Sequence, residues 1–247
     1  WRILFAIGSL PAFLVLYIRA YVPDTKPEVT DDQPRASIDA FREIARHWPL
    51  AVYAVAFMTG MNFMSHGTQD LYATFLQRQH GFAAGVVFAL SAIGAIGAIA
   101  GGIVFGAFSQ RIGRRPVIAV CAVLGIAIVP LWAFSHSVAL LACGAFAIQF
   151  AVQGAWGVIP AHLNELSPPA ARATFPGFTY QLGNAFSAVV PLLIAWLAAE
   201  FRPAGGAPDY AKAMSLVAGV TFLAVIALAL LGYAVRPEAR DRPLRSA

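Results

Sequence analysis

Apolar residues run along this 247-residue chain in blocks of about 20 or more, separated by short polar turns. Seven such blocks can be drawn, at about 1–20, 49–77, 83–108, 116–134, 138–160, 175–199 and 211–235. About 20 apolar residues is the length a helix needs to cross roughly 30 Å of hydrocarbon. Inside that layer every backbone amide must bond within its own segment, so the blocks are predicted to be helices. Their scattered Gly and Pro are tolerated in membrane helices. The fold class that follows is all-α, a polytopic transmembrane helical bundle.

The stretch between the first two blocks, Tyr21–His47, is polar, with Pro and acid crowded into Pro23–Pro34. That part reads as a linker. After it, Ser37 resembles an N-cap, and Ile38, Phe41, Ala45 and Trp48 share one helical face, with Asp39, Arg42, Glu43 and Arg46 elsewhere. A short amphipathic helix on the cytoplasmic membrane surface is expected there. The organisation is thus a helix at 1–20, a cytoplasmic loop at 21–48, six helices within 49–235, and a cytoplasmic tail at 236–247.

Composition agrees. Apolar residues make up 59% and charged residues 12%, against about 25% charged in a soluble domain. The charges also set the orientation. Turns after the first, third, fifth and seventh blocks hold 13 of the 17 Lys and Arg, and the opposite turns hold Arg2, Arg78, Arg202 and Lys212. The rich side is cytoplasmic by the positive-inside rule. Arg2 followed by Ile3–Ile18 could pass for a signal peptide, but no small-residue cleavage site follows and six more spans do. The chain opens on Trp1 and is expected to be part of a longer protein. Cys121 and Cys143 fall at opposite membrane faces and cannot bridge. No Cys/His metal spacing or nucleic-acid motif is present, and no cofactor is expected.

Polar residues inside the blocks carry the chemistry. Asp70 is the only acid well inside a block, and an ionisable residue there defaults to function. Asn62, His66 and Asp70 are spaced i, i+4, i+8 and line one face over about 12 Å. Ser65 and Gln69 form a neighbouring pair. Imidazole titrates near neutral pH, so His66 and Asp70 suit proton uptake and release. Ser65, His66 and Asp70 are triad residue types, yet on one helix Ser65 and His66 point about 100° apart, and no G-x-S-x-G element exists. A hydrolase is therefore excluded. Gln149, Gln153 and Trp156 share a face of the fifth block, and Tyr180, Gln181 and Asn184 do so more loosely in the sixth. These residues are candidates for a polar solute path. Gly94, Gly97, Gly101, Gly102 and Gly106 crowd the third block, and Gly102-x-x-x-Gly106 is expected to let two helix backbones approach closely.

Two loops resemble the major facilitator superfamily. Gly106–Arg115 looks like its G-x-x-x-D-R-x-G-R-R loop, and Pro160, Glu165, Pro168, Arg172 and Gly177 look like the loop between its tenth and eleventh helices. The resemblance implies helices six to twelve of a twelve-helix transporter, with the N-terminal half of the same transporter as partner. It also implies a cytoplasmic gate built from Arg111, Arg114, Arg115, Glu165 and Arg172. Gln110 stands where the motif has an acid, so Glu165 is expected to pair with Arg114 or Arg172 instead. Asn62-x-x-Ser65-His66-x-Thr68-Gln69-Asp70-x-x-x-Thr74 further resembles the signature of the lactate/pyruvate–proton symporters, within the sialate/carboxylate–proton symporter branch. That resemblance implies symport of a small carboxylate with protons across the inner membrane, His66 and Asp70 serving proton coupling. The solute path is expected at Asn62, Ser65, Gln69, Gln149, Gln153, Trp156, Tyr180, Gln181 and Asn184. No Lys or Arg sits mid-span, so a cationic anchor is expected in the N-terminal half.

Overall fold

A computed structural model describes residues 37–235, together with the isolated positions Gly8, Val15 and Tyr17. The expected helix at 1–20, the linker up to residue 36 and the tail at 236–247 lie outside the described residues. Within them the chain is helical, with no strand. The helices are α1 (Ser37–Arg46), α2 (Trp48–Gln69), α3 (Tyr72–Arg78), α4 (Ala84–Ile112), α5 (Arg114–Phe134), α6 (Val138–Trp156), α7 (Ile159–Leu166), α8 (Phe175–Ser187), α9 (Val190–Glu200) and α10 (Tyr210–Val235). A 3₁₀ turn, Pro169–Ala171, separates α7 from α8.

Five stretches among the described residues are long and apolar enough to cross a membrane: Ala84–Ile112, Arg114–Phe134, Val138–Leu166, Phe175–Glu200 and Tyr210–Val235. The block at 49–77 is not among them. Its polar residues dilute its hydropathy, yet α2 packs against both α8 and α10, which shield it.

Three of the expected continuous helices are broken. The first breaks at Asp70–Leu71, the second at Gly157–Val158 and the third at Ala188–Val189. In the last two the chain restarts with Pro160 and Pro191 in the first helical turn. Proline has no N–H to donate and clashes with the preceding turn, so it fits only at such a start. Val138–Leu166 also runs six residues beyond the expected end at 160.

The amphipathic helix α1 forms over Ser37–Arg46. Ala40 and Ile44 are buried. Phe41 lies edge-on to Phe178, with centroids 5.8 Å apart, while Phe41 and Trp48 remain exposed on an apolar groove that also takes in Val52 and Leu182.

The close helix contact is between α4 and α6, and glycine allows it, though one turn from the expected pair. A methyl group at Gly97 or Gly101 would overlap the backbone of Phe146 or Phe150. At Gly102 the same group would meet only the Gln153 carbonyl, at an ordinary 3.6 Å. Gly102 contributes by receiving Gly157, whose added methyl would stand 2.9 Å from the Gly102 Cα. Gly101→Ala should therefore cost about 1–3 kcal/mol of stability, the usual range for overpacking, whereas Gly102→Ala should be nearly neutral. Thermal unfolding of the two purified variants, side by side, checks this; equal losses would place the tight contact elsewhere.

At the opposite end of the bundle Asp209 caps α10. Its Oδ1 accepts from the Lys212 amide at 3.0 Å and from Gln79 Nε2 at 3.3 Å, and Gln79 Oε1 accepts from the Ala211 amide at 3.0 Å. Burial pushes the Asp209 carboxyl up, but hydrogen bonds from Lys212 and Gln79 and the Lys212 charge outweigh it, and the group titrates below its ordinary range. A lowered folded pKa contributes stability above the unfolded value, about 3.9, and loses it as pH falls through the folded pKa. Asp209→Ala should cost about 1 kcal/mol at neutral pH, as lost caps do. The gap to wild type should close below about pH 4, measured by thermal unfolding at stepped pH.

Candidate functional site

Helix α2 projects polar side chains toward two neighbours. His66 Nδ1 lies 2.9 Å from Asp70 Oδ2 and its Nε2 lies 3.2 Å from Asn184 Oδ1 on α8. The imidazole thus links two helices with an oxygen at each nitrogen. Both are met at once only by the doubly protonated ring. A neutral ring requires the Asn184 amide to turn and donate. His66 and Asp70 are each one-third exposed, so water reaches the pair.

A second bridge leaves the same helix. Gln69 Nε2 donates to Ser65 Oγ at 3.2 Å and to Gln149 Oε1 on α6 at 3.0 Å. Trp156 and Tyr180 meet edge to face with centroids 5.8 Å apart and join α6 to α8. The structure therefore links Ser65, Gln69 and Gln149 by hydrogen bonds, and Asp70, His66 and Asn184 likewise, and it pairs Trp156 with Tyr180. Two expected members differ. Asn62 is buried and its Nδ2 donates to the Met58 carbonyl at 2.8 Å, one turn back in its own helix. Gln181 stays exposed on α8, with no hydrogen bond to the others.

Behind the Gln69–Gln149 bridge lies a cavity of about 290 Å³ between α2, α4 and α6. Gln153 lines it, as do Thr68, Tyr72, Ser91 and Trp132. Trp132 is fully buried, stacks on Tyr72 at 5.4 Å, and its Nε1 has no acceptor among the described residues. Trp132 and Ser91 sit in long apolar runs, where nothing in the sequence separates a wall of a cavity from ordinary core.

The turn from α4 to α5 is organised by Gly113, whose φ of 101° makes it sharp. It brings Arg114 back so that Nε donates to Glu165 Oε1 at 3.0 Å and Nη1 to Ser109 Oγ at 2.7 Å. Of the two partners expected for Glu165, Arg114 is the one found. Ser109 takes part where Gln110, exposed, does not. Arg115 is not at this gate: it is buried, its guanidinium 5.1 Å from the centre of the Tyr233 ring. Among the described residues no ion pair involves Arg111 or Arg172, which are exposed. No group of three metal-ligating side chains occurs among the described residues.

The family model for the Major Facilitator Superfamily matches residues 55–247. The chain belongs to the Major Facilitator Superfamily. Among curated proteins it is 32% identical to a carboxylic acid transporter protein homolog of Saccharomyces cerevisiae, over 94% of this chain and 42% of that protein. It is 26% identical to the sialic acid transporter NanX of Escherichia coli, over 81% of this chain and 50% of that protein. The chain spans about half the length of the curated relatives it matches. A solved bacterial homolog of the human lysosomal transporter Spinster, inward-facing and unoccupied, shares the superfamily fold. Its TM-score is 0.59 at 17% identity, over all of this chain and 61% of that one.

The Arg114–Glu165 pair is partly open to water, Glu165 being half exposed. Exposed pairs couple weakly, by about 0.2–1 kcal/mol. A double-mutant cycle with Arg114→Ala and Glu165→Ala, read by thermal unfolding, should give a coupling in that range. A coupling above about 2 kcal/mol would mean that the pair is desolvated in the intact protein.

Proposed function

We propose that this chain forms the C-terminal half of a secondary transporter that carries a small monocarboxylate, such as lactate or pyruvate, together with protons across a bacterial inner membrane. The observation that carries the reading is His66 held between Asp70 and Asn184, an ionisable pair on a helix that packs within an apolar bundle. The relatives named for carboxylic and sialic acids support a carboxylate as solute, since sialic acid is itself a carboxylic acid. The basic turns put the loop at 21–48 and the tail at 236–247 in the cytoplasm.

The mechanism follows from the cost of buried charge. A lone carboxylate or imidazolium in a dry helix bundle is expensive, and an ion pair or a shared proton reduces that cost. His66 and Asp70 act as one unit because a change of charge on either is felt by the other at 2.9 Å. Proton binding from the outer side would load the pair and make it neutral enough to cross with its helix. Asn184 reports the state of His66 to α8 through the orientation of its amide.

Asp70→Asn in the complete transporter should abolish solute accumulation driven by a proton gradient while leaving solute exchange, which needs no net proton release. His66→Ala should lose uptake or shift its pH dependence. Uptake against pH, with and without an imposed gradient, is the measurement. Wild-type accumulation and pH profile in Asp70→Asn would make the pair structural.

A further inference from the structure

We propose that His80 and His136 form a pH-sensitive clasp. It pins the far end of α3 to the turn between α5 and α6 while the rings are neutral, and it releases that end in acid. The clasp is separate from the His66–Asp70 pair and does not depend on which solute is carried.

Two short turns supply the geometry. His80 lies in the turn from α3 to α4 and is half-buried, and His136 lies exposed in the turn from α5 to α6. Aromatic neighbours close in sequence fix the His80 ring. It stacks on Phe82 with centroids 5.2 Å apart and meets Phe75 edge-on at 4.8 Å. The His136 ring lies across from it at 6.2 Å. The Phe82 amide donates to the Leu76 carbonyl at 3.2 Å and closes the turn that carries His80. At the start of α3, Tyr72 stacks on Trp132 of α5. Helix α3 is thus held at both ends. The phenol and indole at its start stay neutral between pH 5 and 8, whereas the two imidazoles at its end do not.

The surrounding charges give the direction of the response. Helix α3 contributes Arg78, exposed and of like sign, the first turn of α4 has no ionisable side chain, and the turn from α5 to α6 has only His136. Through Gln79 the same turn reaches Asp209 before α10, whose carboxylate is taken up by Lys212 at 3.1 Å. An imidazolium over a phenyl ring gains some attraction. Burial and the charge of His136 outweigh that gain, and His80 titrates below the ordinary range of histidine. A folded pKa lowered beneath the unfolded value, about 6.5, makes a contribution that is present above that value. It is lost as pH falls through the folded pKa. Two like charges then face each other, and the end of α3 is free to move about the break at Asp70–Leu71.

The test uses the complete transporter in lipid nanodiscs and follows hydrogen exchange of the Phe82 amide, corrected for the intrinsic rate at each pH. From pH 7.5 to pH 5 the corrected exchange should rise by about threefold, the factor that corresponds to two unit charges about 6 Å apart in water. His80→Phe keeps an aromatic ring against Phe75 and Phe82 but cannot charge, so its exchange should stay flat over the same range. His136→Lys, at an exposed position, holds a positive charge throughout and should exchange about threefold faster than wild type already at pH 7.5. A flat wild-type profile, or an equal rise in His80→Phe, would overturn the proposal. Wild-type exchange at pH 7.5 in His136→Lys would show that His136 is not the partner and would overturn it as well.

Discussion

A polar stripe on a helix inside an apolar bundle has to be closed over by other helices, and the rest of this structure is arranged around that requirement. Helix α2 carries His66, Gln69 and Asp70, and none of the three can face lipid without heavy cost. The neighbours therefore come close enough for side chains on α6 and α8 to reach them. Glycine makes the approach possible. A methyl at Gly183 on α8 would stand 2.7–2.8 Å from the Met58 and Thr59 backbone of α2. That contact, next to Asn184 in sequence, sets the separation at which the Asn184 amide meets His66. On the other flank, Gly60 and Gly67 leave room for Val225 and Val217 of α10. Packing at small residues and hydrogen bonding at polar ones are here two parts of one constraint.

The turn between α4 and α5 solves a different problem with similar means. The loop lacks the acid that its family pattern specifies, and Gln110 points away into solvent. A guanidinium has several donors in a fixed fork, so Arg114 can spread them over two acceptors from different segments. It takes Ser109 from the end of α4 and Glu165 from α7. The result is a tie between loop and bundle whose strength is modest because half of Glu165 is in water. Arg115, adjacent in sequence, points the other way and is held by an aromatic face. Two neighbouring arginines in one motif thus have separate structural tasks.

What could be read from the sequence divides along a physical line. Contacts between residues three or four apart depend only on helix geometry, so the His66–Asp70 and Ser65–Gln69 pairs were legible. Fold class was legible because a bilayer allows so few alternatives. Contacts between helices depend on how each is rotated and how deep it sits, which periodicity does not fix. That is why the tightest glycine contacts fall at Gly97 and Gly101, while the expected pair, Gly102 and Gly106, meets Gly157. Trp132 was invisible for the same reason: an indole in an apolar run looks like core until its unpaired N–H is seen beside a cavity.

The breaks in the helices follow the site. Helices α4, α5 and α10 run unbroken for 29, 21 and 26 residues. The three membrane-length segments that supply the polar cluster are the three that are interrupted. One break falls at Asp70 itself, one directly after Trp156, and one a turn beyond Asn184. At the latter two, i→i−3 bonds appear, Val158 to Ala155 and Ala188 to Ala185, the second stretched to 3.4 Å. Irregular backbone at membrane depth survives only where protein or a water-filled cavity, and not lipid, surrounds it. Its position therefore marks the same region as the ionisable residues do, from evidence that owes nothing to side-chain chemistry. A helix with weakened bonds on one turn also bends there at less cost than elsewhere. The polar bridges from α2 end on α6 and α8, the two other helices that are interrupted.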